Sequence, residues 1–366
     1  MKIVNILPII ADLPLVRPIK MSGVEISISE NVFVKVETDN GLIGWGEASS
    51  SPSMTGETVE SMMAAIRFLT PFFIGRDPSF FIQNLDEMDW RMYGNTSAKT
   101  VLEMAFYDLA GKDQNKTIAE LLGGVKRNKM PVVQMLATGE LETDLLDAQT
   151  KADEGFSAMK IKVGGKPLSE DIERTKAISK ALNGKVQLSA DANQGWTREE
   201  GIDFANNASE FLDFLEQPVM GRDVEGMAKI ALESSCLISA DEGLHSFEDI
   251  KRHHRELAAH GGSLKTIKLG GITRAFQATN LFHDLGMNVN LAGKTAETSI
   301  ASAAILHIAA AAKNLFWGVS PTAPYLAVDV VYNPIVLRSG HVQAPVEPGL
   351  GVTVNEEILL RYARPN

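Results

Sequence analysis

The chain has 366 residues, 45% of them hydrophobic, with 35 Lys+Arg against 46 Asp+Glu and a formal charge of −11 at pH 7. The apolar share supplies a sizeable core, and an acidic balance without a basic tract argues against nucleic acid and anionic membrane as partners. The single cysteine, Cys236, excludes an internal disulfide framework and fits a reducing compartment.

The start, MKIVNILPIIADLP, is broken by Pro8, Asp12 and Pro14, so no export signal is expected. Residues 2–10 read as a strand. Val24, Ile26 and Ile28, then Val32, Val34 and Val36, alternate as in a half-buried strand over 24–38. Asp39-Asn40-Gly41 is a turn signal, and Leu42 to Glu47 returns as the second arm of a hairpin. Helical patterns follow from the Thr55–Thr58 cap region to Pro71, from 79 to 91, and from 97 to 122, where Gly123-Gly124 ends the third. Strands followed by helices without alternation predict an α+β capping domain over 1–125.

From Met130 the rhythm changes to strand–helix alternation. Apolar strands are expected at 131–136, 158–163, 186–190, 211–216, 236–240, 263–267, 288–292 and 315–319. Helical patterns at 141–154, 169–182 and 273–285 lie between them. Near-continuous apolar strands alternating with amphipathic helices mean a parallel sheet covered on its outer face. Eight of them predict a closed (β/α)8-type barrel over 126–320. The irregular segment 321–366 is expected to pack back on the cap. The apolar run Ile300–Ala312 is too short for a membrane span of ~20 residues. A soluble, cytoplasmic protein is expected.

Charged residues close several of these strands: Lys160 and Lys162 in MKIKVGG, Asp191 in SADANQGW, Glu216 in LEQP, Asp241 in SADEG and Lys265 in SLKTIKLGG. The last four recur at intervals of 25, 25 and 24 residues. A strand, loop and helix take about that length in a barrel of ~250 residues. They read as the C-terminal ends of successive strands, where barrel enzymes keep their chemistry.

Lys160 and Lys162 share one face of a strand, ~7 Å apart. Their mutual repulsion, ~2.4 kcal/mol at an effective dielectric of ~20, is expected to lower the pKa of one of them towards the range useful for a base. Asp191, Glu216 and Asp241 would project into one barrel mouth. Each taken alone also suits a helix cap or a solvated loop. Three converging carboxylates raise one another's pKa, and a hard divalent ion, Mg²⁺ or Mn²⁺, removes the conflict. Lys265, on the sixth strand, lies across the mouth from the second. Lysines on either side of a carboxylate held by a metal suit removal of the α-proton to give an enediolate, with the second lysine serving the opposite face. Lys268 reads as a surface or supporting lysine.

The ordered set K-x-K, DANQGW, EQP, ADE and K-x-x-K-x-G-G resembles the enolase superfamily, in its muconate lactonizing enzyme subgroup. LIGWGEA, MTGETVES, YGNTSAKTVLEMAFYDLAGK, LLGG and PGLG extend the likeness, above all towards dipeptide epimerases. The resemblance implies Asp191, Glu216 and Asp241 as Mg²⁺ ligands, Lys162 and Lys265 as acid/base pair, and Lys160 as an electrostatic assistant that orients the substrate carboxylate. It implies Asn193 and Glu242 as residues supporting the ligands. Loops at about Leu15–Val24 and Ser50–Gly56 would fold over the mouth.

The chain departs from the dipeptide epimerases where those carry Asp-x-Asp: here FWGVSP places Gly318 and Ser320. An arginine that some of them use aligns with Val24. Lys294 is either a solvated loop lysine or a partner for a second anionic group on the substrate. Glu297 either pairs with a mouth lysine or caps the next helix. Trp317 is expected in the core, and His253, His254, His260 and His283 on solvated faces. The expected activity is racemisation, epimerisation or cycloisomerisation of a small carboxylate such as an amino-acid derivative, with dehydration of a hydroxy acid as the alternative. Self-association into a homo-oligomer is expected.

Overall fold

The structure, a computed structural model, describes residues 1–21 and 24–365, and of Lys20, Met21 and Val24 the backbone alone. It opens with an antiparallel sheet of β1 (Ile3–Met21), β2 (Val24–Thr38) and β3 (Ile43–Ser49), in that order. β1 runs well beyond the expected residue 10. It is an edge strand, where Pro8, Pro14 and Pro18 cost no sheet hydrogen bond, and its register against β2 shifts between Pro14 and Ile19. Leu15–Met21 is therefore strand rather than free loop.

Helices α1 (Val59–Leu69), α2 (Phe81–Arg91), α3 (Thr96–Gln114) and α4 (Ile118–Leu121) complete the cap. Thr58 and Ser61 cap α1 reciprocally, as do Thr117 and Glu120 for α4. The expected helix over 97–122 is thus two. Asn115 takes a left-handed conformation (φ 51°) that ends α3, and Thr117 starts afresh.

α3 is buried from Ser97 to Gly111, because β3 covers one side and the barrel another. Gly44 and Gly46 allow the close approach: a Cβ on Gly46 would lie 1.9 Å from the Val101 carbonyl oxygen. Gly46→Ala is expected to lower stability by about 1–3 kcal/mol, as overpacking does. Urea unfolding at an unchanged m-value checks it.

The barrel follows β4 (Met130–Pro131). It runs β5 (Val133–Leu136), α5 (Leu141–Asp153), β6 (Ala158–Lys162), α6 (Leu168–Leu182), β7 (Gln187–Asp191), α7 (Arg198–Ala208), β8 (Phe214–Glu216) and α8 (Val224–Glu233). It continues with β9 (Ile238–Ala240), α9 (Phe247–Arg255), β10 (Gly261–Leu264), α10 (Thr266–Leu269), α11 (Ile272–Asp284), β11 (Asn288–Ala292), α12 (Ser299–Ala311) and β12 (Val319–Ser320). Among the described residues β5 to β12 form one eight-stranded parallel sheet in chain order. A bridge between Val132 and Val319 brings its two edges together into a nearly closed barrel. Trp317 is buried and stacks on Phe214 at 3.9 Å, filling the end where the strands begin.

The sixth strand sits earlier than expected, at 261–264 rather than 263–267. Gly261-Gly262 reads locally as a turn, yet a Cβ on Gly261 would meet Trp317 at 2.5 Å, so tight packing explains the glycine. The apolar run Ile300–Ala312 is the buried helix α12. Among the described residues no helix is long and apolar enough to cross a membrane. After β12 the chain forms β13 (His341–Val342), paired with β4, and α13 (Glu356–Tyr362). Ala363 bridges Ala11, and the Arg364 guanidinium reaches Asp12 at 2.9 Å.

Candidate active site

The C-terminal ends of the barrel strands surround a cavity of about 350 Å³, the size of a small-molecule pocket. Lys160, Lys162, Asp191, Asn193, Glu216, Asp241, Glu242, Lys265, Lys294 and Ser320 all line it. Register explains the convergence. Lys162 lies beside Asp191, and Asp191 beside Glu216, across neighbouring parallel strands. Asp241 and Lys265 stand one residue beyond β9 and β10.

Asp191, Glu216 and Asp241 are each engaged by an ammonium group. Lys160 donates to Glu216 at 2.5 Å, and Lys162 to Asp191 at 2.7 Å. Asp241 accepts from Lys265 and, at 2.5 Å, from Lys268. Lys268 is buried beneath the cavity, not at the surface. It holds Asp241 in place and does not line the pocket. Burial raises the Asp241 pKa, but Lys265 and Lys268 outweigh it and hold the carboxyl well below the usual range.

The expected depression by a neighbouring ammonium is reversed at Lys160. Burial pulls its pKa down, yet Glu216, Asp191 and Asp241 together hold it above the ordinary lysine value. The two ammonium groups of the K-x-K pair go to carboxylates on different strands, so counter-charge prevails over mutual repulsion.

Asn193 ties the two sides of the mouth together. Its Oδ1 accepts from Lys162 at 2.7 Å and its Nδ2 donates to Glu242 at 3.0 Å. Burial first, then Asp241 and Asp191, push the Glu242 carboxyl up to about 7. Its Oε2 is buried without a hydrogen-bond partner.

Among the described residues no group of three acidic, imidazole or thiol ligands is already gathered in metal-binding geometry, because the carboxylates are turned onto lysines. The donor set nonetheless fits a hard divalent ion. Asp191, Glu216 and Asp241 are at most 3% exposed and offer only oxygen, and Glu242 adds an orphaned acceptor beside them.

The remaining wall is more apolar. Val133 and Met135 come from β5, Ile26 from β2, Met54 from the 50–56 segment, and Tyr325 from the segment after β12. Met54 lies in the Ser50–Gly56 loop expected over the mouth; sequence reasoning missed the other four, since isolated apolar residues carry no local sign of facing a pocket. The side chain of Val24 lies outside the described residues. Ser320 receives a long hydrogen bond from Asn290 at 3.5 Å. Lys294 is a cavity residue rather than a solvated loop lysine.

Among the described residues Glu297 forms no salt bridge with a mouth lysine, and it does not cap α12; its Oε2 accepts from the Lys294 backbone N–H at 2.9 Å. Thr298 caps α12, helped by Glu47 of β3, which accepts from the Thr298 and Ala301 backbone N–H groups at 2.8 and 3.1 Å. Burial, reinforced by Glu297, pushes the Glu47 carboxyl up to about 8. Its folded pKa lies above the unfolded value near 4.5, so its contribution is complete below that value and lost as pH rises towards about 8. Glu47→Gln is expected to flatten the fall in stability across this window, as denaturant unfolding at a series of pH values would read. His253 corrects another expectation: it is buried, with Nδ1 2.8 Å from the Asp249 carbonyl oxygen.

Comparison with known proteins agrees with this geometry. Residues 6–123 match the mandelate racemase/muconate lactonizing enzyme N-terminal domain, and residues 145–358 match the enolase C-terminal domain-like family. The chain belongs to the enolase superfamily, in its muconate lactonizing enzyme subgroup. Among its enolase-superfamily relatives is N-succinyl-L-Arg/Lys racemase of Bacillus cereus, 30% identical over 95% of this chain and 94% of that protein. A crystal structure of that racemase superposes with a TM-score of 0.94 over 99% of this chain and 98% of that one. Chloromuconate cycloisomerase of Cupriavidus pinatubonensis is 31% identical over 97% of each chain. L-Ala-D/L-Glu epimerase of Clostridium acetobutylicum is 32% identical over 93% of this chain and 95% of that one. These enolase-superfamily relatives are isomerases, and this chain is an enzyme of the same general class.

Proposed function

We propose that this enzyme isomerises a small carboxylate by moving the proton on the carbon α to it, as a racemase or epimerase, or in the related step of a cycloisomerase. One observation carries the reading: Lys162 and Lys265 enter the same cavity from the second and sixth strands of the eight, with the acidic cluster between them. A carbon held there presents one face to each ammonium group, as 1,1-proton transfer requires. Asp191, Glu216 and Asp241 would hold a divalent cation, Mg²⁺ or Mn²⁺. When bound, that ion would supply positive charge against which a substrate carboxylate becomes less repelled and its α-proton more acidic.

The chain's own residues do the rest. Lys162, once unprotonated, takes the proton from one face, and Lys265 returns one to the other; the reverse direction exchanges their roles. Lys160 stays charged beside Glu216 and orients the carboxylate. Asn193 positions Lys162 through its Oδ1 and Glu242 through its Nδ2. Ile26, Ser53 and Met54 of the cap cover the mouth and limit water. With Gly318 and Ser320 at the eighth strand, that strand offers no carboxylate for a substrate ammonium group.

NMR in D₂O with N-substituted amino acids, dipeptides, betaines and hydroxy acids, each with Mg²⁺, tests the reading. Deuterium is expected at the α-carbon of one class, with its stereochemistry scrambled or inverted. Loss of water from a hydroxy acid would replace isomerisation by dehydration. No α-exchange in any class would sink the proposal.

A further inference from the structure

The cavity holds a fourth lysine that proton transfer between Lys162 and Lys265 does not use. Lys160, Lys162 and Lys265 each sit on a carboxylate. Lys294 does not. Its ammonium donates to the carbonyl oxygen of Thr295 at 3.1 Å, and among the described residues it forms no ion pair. The acid that acts most strongly on it, Glu297, spends its Oε2 on the Lys294 backbone N–H at 2.9 Å. Lys294 is half-buried, and a cation drawn partly out of water without an ionic partner is costly unless something else meets it. Burial, and the charges of Lys265 and Lys162, outweigh Glu297 and bring its pKa down to about 8, which leaves it mostly charged at neutral pH.

Position adds to this. Lys294 follows the seventh strand, four strands on from Asp191 and two from Asp241, so it stands across the mouth from Asp191. The same cavity is lined by Ser320 and by the apolar side chains of Val133 and Met135.

We infer that Lys294 anchors a second anionic group of the substrate, on the arm that points towards the end of the seventh strand. The substrate class is then a small dianion: one carboxylate at the acidic cluster, a short chain over the apolar wall, and a carboxylate or other oxyanion at Lys294. This rests on the proposed placement of the first carboxylate, and it adds the residue that selects among substrates.

The test is calorimetric titration of the Mg²⁺-loaded protein with succinate, glutarate and adipate, each against its chain-length-matched monocarboxylate, butyrate, valerate or hexanoate. At least one dianion is expected to bind about tenfold or more tightly than its monoanion, as a hydrogen bond to a charged group allows. Lys294→Met should remove that gain and leave the monoanion affinity in place; Lys294→Arg should keep it. No gain in the wild type, including no binding at all, overturns the inference, as does a gain that survives in Lys294→Met. Monoanion binding that ignores Mg²⁺ would instead count against the placement of the first carboxylate, while a Lys294-dependent gain would still support the anchor.

Discussion

Lys162→Ala and Lys265→Ala are each expected to lose at least ~10²-fold in turnover, the lower end of what a positioned acid or base contributes. The more telling result is asymmetric. Each lysine serves one face, so each variant should stop α-proton exchange from one enantiomer while the remaining lysine still exchanges the other. Following both enantiomers separately in D₂O reads this directly. Neither variant strips its carboxylate of partners: Asp191 keeps the Asn193 backbone N–H at 2.9 Å, and Asp241 keeps Lys268. Folding should survive, so lost activity reports chemistry. Equal exchange of both enantiomers in both variants would remove the two-lysine assignment.

Asp191→Asn and Asp241→Asn are both expected to weaken Mg²⁺ binding by more than ~10²-fold, beyond the loss typical of residues that merely support a ligand. They should differ in stability. Asp241 neutralises two buried lysines, and Lys268 is fully buried and, among the described residues, ion-pairs with no other carboxylate. Its replacement leaves an unpaired buried charge, which costs about 3–5 kcal/mol. Asp191 pairs with one lysine that retains partial solvent access, so Asp191→Asn should unfold at nearly the wild-type midpoint. Calorimetric Mg²⁺ titration and denaturant unfolding of the two variants separate the effects. Unchanged Mg²⁺ affinity in both would mean that the carboxylates serve the lysines alone.

What could be read from the chain was whatever repeats or punctuates locally. The 25-residue spacing of Asp191, Glu216, Asp241 and Lys265 marks strand ends, because every barrel unit spends a similar length on strand, loop and helix. Alternation marked β2, and turn and cap residues marked the hairpin and the helix starts. Decisions that belong to partners distant in sequence were not legible. β1 extends to Met21 because β2 pairs with it and its other edge tolerates proline. The sixth strand begins at Gly261 because Trp317, 56 residues later, packs on it. The lysine charge states follow the same rule. Adjacency in sequence predicts that Lys160 and Lys162 repel, whereas their folded neighbours are carboxylates on other strands. Local spacing determines which residues reach the barrel mouth. Which charge faces which, and that Lys294 has no carboxylate partner among the described residues, is decided by strand register and burial, because electrostatic energy depends on distance through the folded protein and not along the chain.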